Sequence, residues 1–288
     1  MDCLIVGNLT LDKIGDKLRI GGPGLYGGWA LYLLGCKVHV LTSMNSTYRR
    51  LFRGLMDKFV FHEYNCGSLP IFIIREGRAV GLDKQGCRID WCFIEQVIND
   101  VKPDILIFTP VYHEIEPHDL KNYRGSFKVV ALDIQGLTRR LVDDKIVNIW
   151  DNVFFKILSF FDIVHGNIRE LSFADEVNEV LMKLRDYSME AGNAFLVSMD
   201  EKGLYLVYDG KILYFPPMKV KVYNDVGAGD VLLAVTSYYY ALGYDIVNAT
   251  KHGLAATLLK IESVNSKWFN EEEVLRKTRE ITYRLVEV

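Results

Sequence analysis

NDVGAGDVLLAVTSYYYALG, residues 224–243, is the stretch around which the rest of the chain is organised. It opens with glycine-rich backbone and an acid, then runs as an apolar segment of helix length to Gly243. Gly227 and Gly229 let the backbone approach a ligand closely. The helix that follows aims free N–H groups and a positive dipole end back at the loop. That geometry binds anions, phosphate above all. Asp230 is out of place if the only task is to attract an anion. It makes sense if Asp230 takes a proton from a group that then attacks a phosphate. The stretch therefore points to phosphoryl transfer to a hydroxyl. An ordinary helix N-terminus with an acid in its first turn has the same letters, because the dipole favours an acid there. The stretch alone does not separate the two.

The totals set bounds. The 288 residues are half apolar and a quarter charged, a globular composition long enough for a full α/β core with a small appendage. A net charge of −3 gives no electrostatic footprint for nucleic acid or an anionic membrane. The five cysteines, Cys3, Cys36, Cys66, Cys87 and Cys92, are odd in number and form no C-x-x-C pair. The expectation is free thiols in a reducing cytoplasm, with neither a disulfide framework nor structural zinc. The apolar start reads as a strand, not as a signal peptide. The longest apolar run is too short to span a bilayer.

Along the chain, Asp2–Val6 reads as a buried strand ending at the turn signal Gly7-Asn8. Asp12 follows at the strand's C-terminal end, where open α/β sheets place ligand contacts. Residues 13–20 read as a short hairpin. GGPGLYGGWALYLLG, residues 21–35, contains the letters G-x-G-x-x-G. A dinucleotide reading fits poorly, because about a dozen residues separate it from the first strand. The next strand also ends without an acid for a ribose hydroxyl. Residues 59–86 read as successive short strands with glycine turns, a small antiparallel sheet that would form a lid. After that, strands and helices alternate, with 142–158 and 270–286 read as largely helical. Repeated βα units argue for a doubly wound, mostly parallel sheet in one domain spanning 1–288. His113 and His118 have no helical metal-ligand spacing, so a solvated loop is the expectation there.

Three strand ends deliver polar residues to one rim: Asp12, Asp133 to Arg139, and Asn167 to Glu170. NDVGAGD resembles the D-T-x-G-A-G-D signature of the ribokinase-like (PfkB) family of carbohydrate kinases. The early GGPG resembles that family's di-glycine motif, and Asn167-Ile-Arg-Glu170 resembles its N-x-x-E motif. The order and spacing of all three fit, over essentially the whole chain. The resemblance implies a ribokinase-like fold with a β lid from about 13–20 and 59–86, and a cytoplasmic, ATP- and Mg²⁺-dependent kinase. It implies that Asp230 is the catalytic base and that Gly227, Ala228 and Gly229 form an anion hole. Asn167 and Glu170 would organise Mg²⁺ through waters. Asp12, Gly21 and Gly22 would hold the sugar or polyol, and Ser198, Gly203 and Asn224 would contact the nucleotide. It also implies a homodimer pairing through the lid; the net charge already speaks against a nucleic-acid or membrane partner.

Several positions depart from the family pattern. Asn224 stands where the family has Asp. Asp200 replaces the first glycine of T-x-G-x-x-G, and Tyr26 takes the place of a frequent sugar-binding Asn, which argues against ribose. Asp133-Ile-Gln135-Gly-Leu-Thr-Arg139 resembles a D-x-Q-G-x-x-R stretch of a subgroup that includes myo-inositol kinases, which adds Gln135 and Arg139 to the acceptor site. Two other readings remain open: a nucleoside or vitamin-like alcohol kinase of the same superfamily, and a ligand-binding relative that has lost catalysis.

Overall fold

A computed structural model describes residues 1–75 and 78–287. Ten strands form the main sheet, in the order Arg284–Leu285, Lys211–Phe215, Leu204–Tyr208, Ala194–Ser198, Ile163–Asn167, Val129–Asp133, Ile105–Phe108, Asp2–Val6, Lys37–Met44 and Phe59–Asn65. From Ala194–Ser198 to Phe59–Asn65 every neighbour is parallel; the remaining three strands add on antiparallel. The doubly wound, mostly parallel α/β sheet expected from the sequence is what the chain forms.

The strands are apolar on both faces because helices cover both. In Asp2–Val6, Cys3 and Ile5 point into one core with the helices Pro23–Leu33, Ala228–Ala241 and Ile246–Glu262. Leu4 and Val6 point into the other, with Trp91–Val101 and Val177–Ala191. This is the period-2 alternation of a strand buried from both sides. Ala228–Ala241 is buried over Val231–Tyr239 because it is clamped between the sheet and two other helices. Gly253 permits the closest approach, since a Cβ there would run into Thr236 and the Leu232 carbonyl.

The second sheet is smaller, with strands in the order Lys17–Gly21, Thr10–Ile14, Ile71–Arg75 and Arg78–Lys84. Its outer pairs are antiparallel, but the middle pair, Leu11 against Ile71, is parallel. The reason is topological: both central strands leave the C-terminal rim of the main sheet. Glu76 and Gly77, inside the expected lid segment, lie outside the described residues.

Four expectations need correction. Phe59–Asn65 is not part of the small sheet; it pairs along its whole length with Lys37–Met44 as the main sheet's edge. Residues 142–158 are not largely helical. Arg139–Val142 and Lys145–Asn148 form a hairpin, and the helix is only Val153–Leu158. Asp143 and Asp144 both adopt positive φ, 46° and 60°, the requirement of a tight hairpin turn. The last helix stops at Thr278, before the short strand Arg284–Leu285. Finally, Cys66 and Cys87 are joined in a disulfide, their Cα atoms 6.3 Å apart. The sequence hides this because two strands of the small sheet separate the cysteines, and only folding brings the end of Phe59–Asn65 beside the segment before Trp91–Val101. Among the described residues, no helix is long and apolar enough to cross a membrane.

Candidate active site

The rim formed by the C-terminal ends of the parallel strands gathers most of the residues singled out in the sequence. Val129–Asp133 ends in a buried carboxylate, and Ile163–Asn167 beside it carries His165. Asp133 Oδ2 lies 2.7 Å from His165 Nδ1, with both side chains nearly fully buried. Burial alone would push His165 down, but Asp133, Glu170 and Asp230 together hold it above its ordinary value. The His165 Nε2 is buried without a hydrogen-bond partner among the described residues. The ring also explains Gly229, where a Cβ would sit 2.7 Å from His165 Cε1.

Gly227 caps the helix Ala228–Ala241 in a left-handed conformation, φ 78°. Side chains are disfavoured there for two reasons: the backbone itself, and the Tyr26 ring, which a Cβ would strike. Asp230 sits in the first turn, half-buried. Its carboxyl is pushed up to about 7, first by burial and next by Asp133; His165, Lys260 and Arg139 pull the other way. A carboxyl poised near neutrality is what proton abstraction from an alcohol requires.

Tyr26 lies between Asp230 and Asp12, whose charges join burial in raising its hydroxyl. Asp12 is 7% exposed and accepts a hydrogen bond from Thr10 Oγ1 at 3.1 Å. Burial raises its carboxyl, against Thr10, Arg19 and Arg139. Gly21 pairs with Thr10 across the hairpin, where a Cβ would press on the Asp12 carboxylate. Gly22, at φ 93°, caps the helix Pro23–Leu33. Arg139 points inward among Glu170, Asp133, Asp230 and Glu114. Its guanidinium donates to the Val111 carbonyl at 3.1 Å and lies 5.1 Å over the Phe72 ring of the small sheet. Gln135 begins a one-turn helix, its N–H bonded to Asp133 Oδ1 at 2.9 Å.

Glu170 is buried, and its Oε2 accepts the Asn167 N–H at 2.7 Å. Burial and then Asp133 push its carboxyl up, so a cation here would relieve a crowd of acids. Asn167 Nδ2 donates to Asp200 at 3.0 Å, and Asp200 also engages Arg78 and Arg169. Ser198 ends its strand two residues before Asp200. Gly203 needs φ 97°, with the Phe215 carbonyl against its open side. Asn224 Oδ1 accepts the Val226 N–H at 3.1 Å, an acceptor role that needs no charge.

The sequence reading missed Glu114, Lys260 and the role of His165. Glu114 is 1% exposed and accepts N–H bonds from Asn8, Val111 and Tyr112 at 2.8–2.9 Å, tying two strand ends together. Two of its donors are neighbours in sequence, but the one that joins the strand ends, Asn8, is 106 positions away, and nothing local marks that link. His113 accepts from Arg140 and lies 2.7 Å from the Arg139 carbonyl. Among the described residues no three potential ligands cluster as a metal site.

The sequence of residues 135–271 matches the pfkB family carbohydrate kinases. The match covers just under half of the chain and takes in Asn167 to Glu170 and the turn at Gly227. The expected enzyme class, a phosphotransferase with an alcohol group as acceptor, agrees with that match. Solved structures share the fold along nearly the full length. One, a pyrophosphate-dependent myo-inositol-1 kinase converted into a myo-inositol-3 kinase, gives a TM-score of 0.79 at 18% identity, covering 97% of this chain and 99% of that one. A pyrophosphate-dependent kinase of the ribokinase family, complexed with a pyrophosphate analog and myo-inositol, gives 0.79 at 19%, covering 93% and 98%. Fructokinase from Vibrio cholerae, bound to fructose, ADP and calcium, gives 0.70 at 13%, covering 96% and 98%. At these identities the likeness speaks to fold. No curated protein matches the chain.

Proposed function

We propose that this chain transfers a phosphoryl group to a hydroxyl of a sugar or polyol, with a myo-inositol-like ring as the leading acceptor. The observation that carries this is Asp230, half-buried in the first turn behind Gly227 and poised at about 7. In this reading Asp230 takes the acceptor proton as its oxygen attacks in line. The N–H groups of Gly227 and Gly229 hold charge on the transferring group, a preorganised device, with Ala228 between them keeping its own N–H on the Asp225 carbonyl at 3.0 Å. Asp12 accepts hydrogen bonds from neighbouring acceptor hydroxyls, and Arg139 donates to another. Gly21 and Gly22 keep the backbone close to the ring, and Gln135 lines the same rim.

Asn167 and Glu170 suit Mg²⁺, a hard cation that prefers oxygen ligands and keeps much of its water. When bound, it would neutralise the donor phosphates. ATP is the donor expected from the family, with Ser198, Gly203 and Asn224 on its side of the rim. Pyrophosphate is a second reading, supported by Asp200. Its carboxylate occupies Arg78 and Arg169 at the donor end, and a compact phosphate could exchange for it. The pyrophosphate-dependent kinases of similar fold point the same way. Exposed Ile14 and Leu18 on the small sheet support a homodimer through the lid.

The test is a phosphorylation assay over inositols, hexoses and nucleosides, with ATP or pyrophosphate and Mg²⁺. Transfer to a polyol or sugar is expected. Transfer only to nucleosides, or ligand binding with no transfer to any acceptor, would overturn the reading.

A further inference from the structure

Lys260 is the most deeply buried cation in the described chain, 2% exposed, in the last turn of Ile246–Glu262. A lysine so placed ordinarily finds a carboxylate. Among the described residues this one forms no ion pair. Its ammonium instead donates to two backbone carbonyls, Asn224 at 3.0 Å and Val226 closer still. The faces of Tyr26 and Trp268 close over it, 5.3 and 6.0 Å from their centroids. Carbonyl oxygens and aromatic faces around one positive charge make the surroundings of a small monovalent cation, here supplied by the chain.

What this cation grips is the entry to the anion-binding turn. In a trans peptide the C=O and the following N–H point in opposite directions. Holding the Val226 carbonyl on the lysine side therefore turns the Gly227 N–H to the other side, where the helix opens. That N–H finds no acceptor among the described residues. The same last turn docks the loop by backbone, with the Tyr223 and Asn224 N–H groups reaching the Ile261 carbonyl at 3.0 and 3.4 Å. Tyr26 is wedged between the ammonium and Gly227.

We propose that Lys260 is a positioning residue, a tethered cation that fixes the Asn224–Val226 carbonyls so that the Gly227 N–H faces the transferring group. The ammonium takes the place of a dissociable monovalent ion, so the wild-type protein needs none. The same charge faces Asp230, together with His165 and Arg139 and against Asp133, and favours its ionised form. The charged groups that face Lys260 are Asp230, Asp225 and Arg19. The role rests on the phosphotransferase reading, but its test has an arm that does not need turnover.

The experiment compares wild type with Lys260→Met and Lys260→Gln. Pyrophosphate binding is measured by calorimetry, and turnover is measured with ammonium, potassium or lithium chloride at equal ionic strength. Lys260→Met should bind pyrophosphate more weakly and lose roughly 100-fold in turnover, the scale of a lost anion-hole donor. Ammonium or potassium should restore much of both, and lithium should not. The glutamine variant keeps N–H donors without the charge, so the acid limb of its pH–rate profile should move to higher pH. Wild type should ignore all three salts. Near-normal behaviour of Lys260→Met overturns the proposal, as does a folded but unrescued Lys260→Met. If Lys260→Met does not fold, strong stimulation of wild type by ammonium or potassium still overturns it. A wild type that phosphorylates nothing sinks the kinase reading, while the calorimetry continues to decide on Lys260.

Discussion

Replacing Asp230 by asparagine should abolish turnover and yet stabilise the fold, with a pH dependence that identifies the cause. The carboxyl rises from 3.8 to about 7 on folding, chiefly by burial and then by Asp133. A carboxyl whose pKa is raised on folding holds its proton more tightly in the folded state. Its contribution to stability is therefore fully present below 3.8 and is lost as pH rises through about 7. A rise of roughly three units corresponds to about 4 kcal/mol at about 1.4 kcal/mol per unit. One side of Asp230 faces the cleft, and screening by water there leaves on the order of 2 kcal/mol. Asparagine keeps the shape and cannot ionise, so Asp230→Asn should melt several degrees above wild type at pH 8 and level with it at pH 4. Turnover should fall by roughly 100- to 10,000-fold, the usual contribution of a general base. Thermal unfolding at both pH values and a coupled phosphorylation assay measure the two effects. A variant that keeps near-normal kcat, or melts no higher than wild type at pH 8, would refute the reasoning.

Two further outcomes follow from the same geometry. Glu170→Gln keeps the acceptor for the Asn167 N–H but removes the charge, so the Mg²⁺ concentration for half-maximal rate should rise by roughly 10- to 100-fold with little change in the acceptor KM; an unchanged Mg²⁺ titration would remove Glu170 from the metal's surroundings. Reducing the Cys66–Cys87 disulfide, which spans 21 residues, should cost about 3 kcal/mol of stability; thermal unfolding with and without reductant checks this, and identical curves would count against the pairing.

Much of this protein is legible in its sequence because much of it is local. Gly227, Gly229 and Asp230 announce a left-handed turn and a helix with an acid in its first turn within seven residues. The strand that ends at Asp133 and the N-x-x-E motif are equally local, and their convergence follows from the parallel sheet. The misreadings have long-range causes. Phe59–Asn65 alternates in a way that suits either sheet, and only its partner Lys37–Met44 decides. Glu114 and Lys260 are ordinary charged residues by position; what makes them buried is the set of backbone groups that folding brings to them. The hairpin at 139–148 is marked by the adjacent Asp143 and Asp144, while the apolar residues on either side suit a helix as well.

The disulfide joins the end of the edge strand Phe59–Asn65 to the segment that leads into the helix Trp91–Val101. The strands Ile71–Arg75 and Arg78–Lys84 thus hang from a fixed doorway. Side chains tie them to the site: Phe72 lies under the Arg139 guanidinium, and Arg78 pairs with Asp200, which holds Asn167. An insertion, deletion or exchange of this cassette would change what the acceptor meets while leaving the phosphoryl-handling turn in register. In such a protein acceptor preference and transfer chemistry can evolve at different rates.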